Sequence, residues 1–297
     1  MTLLAHISDI HLAPLPRIGL HQLAGKRLTG YLNWKMMRRD ALAGGGLGAL
    51  TEHLKAQNVD FIAVTGDLVN LALPSEFEAT GAWLRALAPP ERCCVSPGNH
   101  DAYMRGALEH AYEQWHGYIS GETLAEDARF PYLRRVGDVA VIACSSAVPT
   151  PPFMATGAFD AGQAERLAAL LDETGKAGLF RVILIHHPPN AELQHPSFGL
   201  KGHAAFRAVV KEHGAEMILH GHTHRSSLHA IDGKGREVPV IGVASASADQ
   251  GGKLDDPARY NLFRIERTDT GWSCTMREYG FQRIGTDIVM RLQTRIY

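Results

Sequence analysis

The sequence predicts an α/β protein built on buried, mainly parallel strands. Three observations carry this. Short apolar runs alternate with amphipathic helical patterns over most of the chain. Five of those runs end in clusters of Asp, Asn and His. After residue 225 the helical patterns stop and strand-like runs follow one another. Alternating strands and helices need crossover connections, which are right-handed and produce parallel pairs.

The strand candidates are LLAHIS (3–8), DFIAVT (60–65), RCCVS (92–96), VAVIAC (139–144), RVILIH (181–186) and AEMILH (215–220). Helical periodicity marks LGALTEHLKAQ (47–57), SEFEATGAWLRAL (75–87), AGQAERLAALLDET (161–174) and HAAFRAVVKEH (203–213). The late runs SSLHAID, VPVIGVA, RYNLFRIER and GWSCTMREYG predict a second, mixed or antiparallel sheet. Residues 12–46 fit neither pattern. No acidic residue stands between Asp9 and Asp40, whereas Arg17, Lys26, Arg27, Lys35, Arg38 and Arg39 are basic. Leu28, Tyr31, Leu32 and Met36 recur at helical spacing, with Trp34 and Met37 nearby, so a short amphipathic helix is expected there. The GGG run at 44–46 would tether it.

Composition narrows the class. The chain has 297 residues, 45% of them hydrophobic, and 30 basic against 31 acidic side chains leave a formal charge of −1. That balance carries no strong nucleic-acid signal. Cys93, Cys94, Cys144 and Cys274 form no C-x-x-C pair, as suits a reducing compartment. The N-terminus has no basic leader and reads as a first strand, and no run approaches the ~20 apolar residues of a membrane span. A soluble, cytoplasmic protein is expected.

The polar clusters point to chemistry. They are Asp9 and His11, then Asp67, then Asn99, His100 and Asp101, then His186 and His187, then His222 and His224. In open α/β sheets the carboxyl ends of parallel strands line one crevice, so these groups should converge. Gly66, Gly98 and Gly221 each precede a candidate ligand, where the chain is expected to turn sharply. Gly221 in particular should let His222 and His224 both aim inward. Oxygen and imidazole donors suit Mn, Fe, Zn or Co and are too nitrogen-rich for Ca. They outnumber the needs of one ion, whereas two ions roughly 3.5–4 Å apart with a shared carboxylate would use them all. Successive strand residues face opposite ways, so only one of His186 and His187 should enter the crevice. His220 is expected to be a supporting or core histidine.

Asp9-x-His11, Gly66-Asp67, Gly98-Asn99-His100-Asp101, His186 and Gly221-His222-x-His224 together resemble the calcineurin-like metallophosphoesterase family. All five blocks are present in order. The resemblance implies one domain over 1–297, folded as a four-layer α-β-β-α sandwich of two mixed sheets, with 12–46 as an insertion. It implies two divalent ions (Mn, Fe or Zn): Asp9, His11 and His224 on one, Asn99, His186 and His222 on the other, Asp67 bridging. The family's His-x-Pro spacing selects His186 over His187. A metal-bound hydroxide would attack phosphorus. His100 would protonate the leaving alkoxide or bind a phosphoryl oxygen, oriented by Asp101 or Asp9. Asn99 and His100 would touch the substrate. Arg225 would either add a phosphate contact or lie on the surface.

Departures narrow the branch. Asn70 and Leu71 stand where protein Ser/Thr phosphatases carry Asp and Arg, and position 70 lacks the tyrosine ligand of purple acid phosphatases. IHHPP and GHTH look more like bacterial cyclic-nucleotide and glycerophosphodiester phosphodiesterases, a branch that also holds UDP-2,3-diacylglucosamine pyrophosphohydrolases. The expected activity is hydrolysis of a small-molecule phosphodiester, or of a monoester. The alternatives are a lipid-linked pyrophosphate or phospholipid hydrolase, a nuclease, and a non-catalytic metal-binding scaffold. Residues 12–46 would then be either a helix docked on the core or a lid or membrane-contact element selecting lipid-tailed or large anionic phosphoesters.

Overall fold

Alternation along β1 (Thr2–Ile7) shows how the layers arise. Leu4 faces one core, while Ala5 and Ile7 face another. In β2 (Phe61–Val64), Phe61 and Ala63 join the first of these, Ile62 and Val64 the second. A strand apolar on both faces must be covered on both sides, which is why the runs read as continuously hydrophobic. The computed structural model describes residues 1–19, 23, 25–34, 45–123, 129–248, 255–282 and 287–297.

Among the described residues the strands form two six-stranded sheets and a short ribbon. In the first sheet, β1, β2 and β3 (Cys93–Val95) run parallel. β12 (Arg259–Thr268), β13 (Gly271–Phe281) and β14 (Ile288–Arg295) extend it antiparallel from the β1 edge. The second sheet has β5 (Val139–Ala143), β7 (Phe180–Leu184), β9 (Met217–His220) and β11 (Glu237–Gly242) in parallel. β4 (Tyr132–Val136) and β10 (Ser227–Asp232) close its edges antiparallel. The ribbon pairs β6 (Gly157–Ala158) with β8 (Leu200–Lys201).

The two sheets share a core of Leu4, Phe61 and Phe263 against Val141, Val182, Leu184 and Leu219. Outside the first sheet lie α2 (Gly46–Lys55), α3 (Pro74–Leu87) and α4 (Ala107–Trp115), through Leu50, Leu54, Phe77, Leu84 and Trp115. Outside the second lie α5 (Ala161–Lys176) and α6 (His203–His213), through Leu167, Leu171, Phe206 and Val210. The result is the expected four-layer sandwich of two mixed sheets.

Three details differ from the sequence reading. The late strands do not form a sheet of their own: β10 and β11 complete the second sheet, and β12 to β14 extend the first. α4 had no clear signal because its buried stripe is Ala107, Ala111 and Trp115, mostly small residues. Of the glycine run, Gly46 opens α2 and Gly45 (φ 73°) caps it, so these two belong to the helix. Gly44 lies outside the described residues. The expected helix in the insertion is α1 (Lys26–Asn33). Tyr31 packs on the first outer core, but Leu28 and Leu32 are about half exposed. Lys35, Met36, Met37, Arg38 and Arg39 lie outside the described residues. No described helix is long and apolar enough to cross a membrane.

Candidate metal centre

The loops leaving β1, β2, β3, β7 and β9 meet at the carboxyl ends of the parallel strands of both sheets. Backbone hydrogen bonds lock them together: Asp9 N to Gly66 O (3.0 Å), His11 N to Asp67 O (2.9 Å) and Gly221 N to His186 O (3.1 Å). The His222 amide donates to Asp9 Oδ2 at 3.0 Å, joining the two sheets through a candidate ligand. Asp9, His11, Asp67, His222 and His224 all have positive φ, between 40° and 67°. They are five of the eight described non-glycine residues in that strained region, and such strain concentrates at functional sites. The turn that lets His222 and His224 converge is therefore made by the histidines themselves. Gly66 does use a left-handed conformation (φ 88°). Gly98 and Gly221 are required for closeness instead: a Cβ on Gly98 would strike Asp67, and one on Gly221 would strike Ser8 and Asp9.

Three groups bring their donor atoms within 4.8 Å of one another: Asp9, His11 and His224; His11, Asp67 and His100; and Asp67, His186 and His222. Asp67 is common to two of them. Its Oδ2 lies 3.3 Å from His186 Nε2 and 3.9 Å from His11 Nε2, the placement a bridging carboxylate needs. Asp9 Oδ1 lies 3.2 Å from His224 Nε2. The opposite ring nitrogens are engaged by carbonyls, which only accept. His186 Nδ1 donates to Thr65 O (2.6 Å), His11 Nδ1 to Val69 O (3.2 Å) and His222 Nε2 to Phe198 O (2.9 Å). Each bond ties up one ring nitrogen and turns the other toward the centre, as metal-binding histidines require. His224 Nδ1 faces Asp255 at 3.5 Å. Asp9 Oδ1, Asn99 Oδ1 and His186 Nε2 are buried without a well-formed hydrogen bond. Burying such atoms unpaired is costly, so the donor set fits metal ions.

Electrostatics agree. Burial opposes ionisation of Asp9 and Asp67, yet His224 beside the first and His186 beside the second hold both carboxyls well below the usual range. Burial would likewise push His186 down, but the Asp67 carboxylate outweighs it and raises the imidazole to about 9. The pocket thus favours positive charge. Burial, helped by His186, lowers His222 to about 3 and keeps it a neutral donor.

His186 and His187 separate cleanly. His187 spends Nδ1 on Ser146 Oγ (2.7 Å) and Nε2 on Ala155 O (3.0 Å), so neither nitrogen faces the centre. His220 is fully buried, bonds the Gly221 carbonyl through Nδ1 and belongs to none of the three donor groups. His100 Nδ1 bonds Asn70 O at 2.6 Å, its ring stacks on Tyr103 (5.4 Å between centroids) and its edge meets His11 (4.7 Å). Asp101 does not orient this ring as expected through its carboxylate. That carboxylate accepts the backbone N–H groups of Asp67, Leu68, Val69 and Gly98 at 2.8–3.2 Å, so it shapes the loop that carries Asp67. Burial, with the Asp67 charge, pushes Asp101 up to about 7. Arg225 is exposed beside His224.

Sequence reasoning missed Glu76 and Lys26. Buried Glu76 accepts the N–H groups of Asn70, Leu71 and Leu73, fixing the loop whose Asn70 carbonyl holds His100. Pro74 at the first helical position with Glu76 in the first turn was the readable sign of a helix start here. Lys26 lines a cavity that also touches Asn99, His100 and Tyr103. Its ammonium donates to Thr150 Oγ1 (2.7 Å) and Met154 O (3.2 Å) and sits 4.3 Å from the Tyr103 ring centre. Only its place in a basic run hinted at it.

Among solved structures, a dimetal phosphatase from Danio rerio superimposes with a TM-score of 0.65 at 13% identity, over 98% of this chain and 99% of that one. A purple acid phosphatase from yellow lupin (Lupinus luteus) seeds gives 0.53 at 10% identity, over 97% of this chain but 52% of the lupin chain. At such identities the likeness shows the fold. No curated protein matches the chain. The model of the calcineurin-like phosphoesterases, which use a dinuclear metal centre, matches residues 2–226. That match covers all five ligand-bearing loops, and the chain belongs to the calcineurin-like phosphoesterase family.

Proposed function

We propose that the chain is a metal-dependent phosphodiesterase for small soluble diesters. Asp9, His11 and His224 would hold one ion, Asn99, His186 and His222 the other, with Asp67 shared; the N/O donor set suits Mn, Fe or Zn. Bound there, the ions would neutralise the phosphoryl oxygens and make water acidic enough to supply a nucleophile near neutral pH. The remaining steps fall to the protein. Water adds to phosphorus, one P–O ester bond breaks, and an alcohol and a monoester leave. His100 is the group that gives the departing oxygen its proton. The Asn70 carbonyl takes Nδ1–H, so the proton would be passed from Nε2.

The observation that carries the diester preference is the cavity beside His100. It has room for a second ester arm, and Lys26 is the only Lys or Arg among its described lining residues. A diester brings one negative charge, a monoester nearly two. Manganese-loaded protein should therefore hydrolyse bis(4-nitrophenyl) phosphate with a kcat/KM at least about ten-fold above that for 4-nitrophenyl phosphate, about 1.4 kcal/mol of selectivity. Equal or reversed values would make the enzyme a monoesterase.

A further inference from the structure

Part of the wall of the cavity beside His100 is apolar. Leu32, Phe153 and Phe198 line it together with Asn99, His100 and Tyr103, and the volume is about 540 Å³. That is within the range of small-ligand sites, roughly 300–1,000 Å³. Leu32 and Phe198 are about half exposed, and Phe153 is 85% exposed. Scattered exposed apolar residues need no explanation, but three that converge on one cavity at a candidate active centre do. Phe153 carries a second, independent anomaly. Its φ is 64°, a left-handed conformation that a bulky side chain adopts only at a cost. An aromatic ring held in water on a strained backbone gains nothing for folding, and strain of this kind collects at ligand clamps.

Resting on the phosphodiesterase reading, we propose that this wall is a subsite for an unbranched apolar arm on one ester oxygen of the substrate. The substrates are then dispersed, single-chain amphiphilic phosphodiesters. The cavity shares Asn99 and His100 with the centre, so whatever fills it can remain covalently tied to the phosphorus. Lys26, in the same lining, suits the anionic end of such a molecule and not its tail.

The test is calorimetric binding of methylphosphonate and octylphosphonate, both below micelle-forming concentration, to manganese-loaded protein. Each fully buried methylene strengthens binding about four-fold, so even a partly open wall should favour the octyl compound by at least about 30-fold. The double variant Leu32→Gln/Phe153→Asn should bring that ratio below about three-fold; Asn tolerates the left-handed backbone and removes the ring. Equal binding of the two compounds by the wild type overturns the subsite, as does a ratio that survives in the double variant. Sedimentation with anionic phospholipid vesicles but no chain-length preference would overturn it too, in favour of a membrane-facing rim. Failure to cleave any diester would instead sink the phosphodiesterase reading, and the binding ratio would still judge the apolar wall.

Discussion

The metal centre and the cavity beside it are built from opposite materials. In the centre Asp9, His11, Asp67, Asn99 and His186 are buried. The strained backbones of Asp9 and Asp67, and the loop that follows Asp67, are held by neighbours that have no chemistry of their own: Asp101 grips four amides, Glu76 three, and Ser245 Oγ the Asp9 carbonyl at 2.7 Å. In the cavity wall the side chains are apolar and open to solvent. They come from α1 and from the loops around 153 and 198, outside the sheets. The difference teaches where strain can be kept. A core that over-determines a loop can hold several residues at positive φ, whereas a wall on the periphery can change its side chains without moving the reacting groups.

If this division holds, the largest effects belong to the centre. Asp67→Ala should lower metal content at both positions, because a shared carboxylate cannot be lost from one ion alone. Turnover should drop about 10⁴-fold or more, several kcal/mol of lost charge stabilisation. One ion retained at full occupancy by elemental analysis would argue against the bridge. His100→Ala should keep both ions and slow turnover by roughly 10²–10⁴-fold, with a smaller loss on nitrophenolate leaving groups, which need no proton. A loss equal for good and poor leaving groups would make His100 a phosphate binder.

The supporting layer comes next. In Glu76→Gln one oxygen must replace two, and the new NH₂ faces backbone donors. Burial already pushes the Glu76 carboxyl above its ordinary value, and the N–H groups of Leu73, Asn70 and Leu71 pull it back only in part. The variant should keep its metals yet lose roughly 10–100-fold in kcat with an altered pH profile, as supporting groups around metal sites do. A lower melting temperature with unchanged kcat would limit Glu76 to stability.

The sequence made the centre readable and left the wall almost invisible, for a physical reason. Donor residues such as Asp9, Asp67 and His222 stand at strand ends, and chemistry restricts which residue types can serve there. Alternation in runs such as 60–65 reveals buried faces, so both sheets could be anticipated. Asp101 misled because a carboxylate next to a histidine looks like its orienting partner, and only coordinates reveal the four amides it serves. β14 was missed because Ile288–Arg295 is an edge strand with no buried residue to set a period. Phe153 and Phe198 lie in loops, outside every periodic run. Their meaning lies in converging from distant parts of the chain, and no local pattern encodes that.

Lys26 is where the two regions touch, and it should give the smallest effect. Burial lowers its ammonium to about 8, although the charge on Asp67 draws it the other way. In the unfolded chain the group titrates near its ordinary 10.5. Between about pH 8 and 10.5 the unfolded chain therefore binds more protons than the folded one, and the Lys26 contribution makes stability rise with pH across that window. Substrate binding should move in the opposite sense. As pH rises through about 8 the wild type loses the cation beside its cavity, and KM for an anionic diester should climb. A single partly solvated charge is worth about 1 kcal/mol, so the rise should be about five-fold. Lys26→Met should begin at the higher KM and show no such step, while Lys26→Arg should begin low and stay low because its charge does not titrate in this range. Other groups titrate as well, but they are common to all three proteins, so comparing wild type, Lys26→Met and Lys26→Arg isolates the step. Three parallel pH–KM curves would show that Lys26 only ties α1 to Thr150 and Met154, and the wall would then act on substrate through its apolar groups alone.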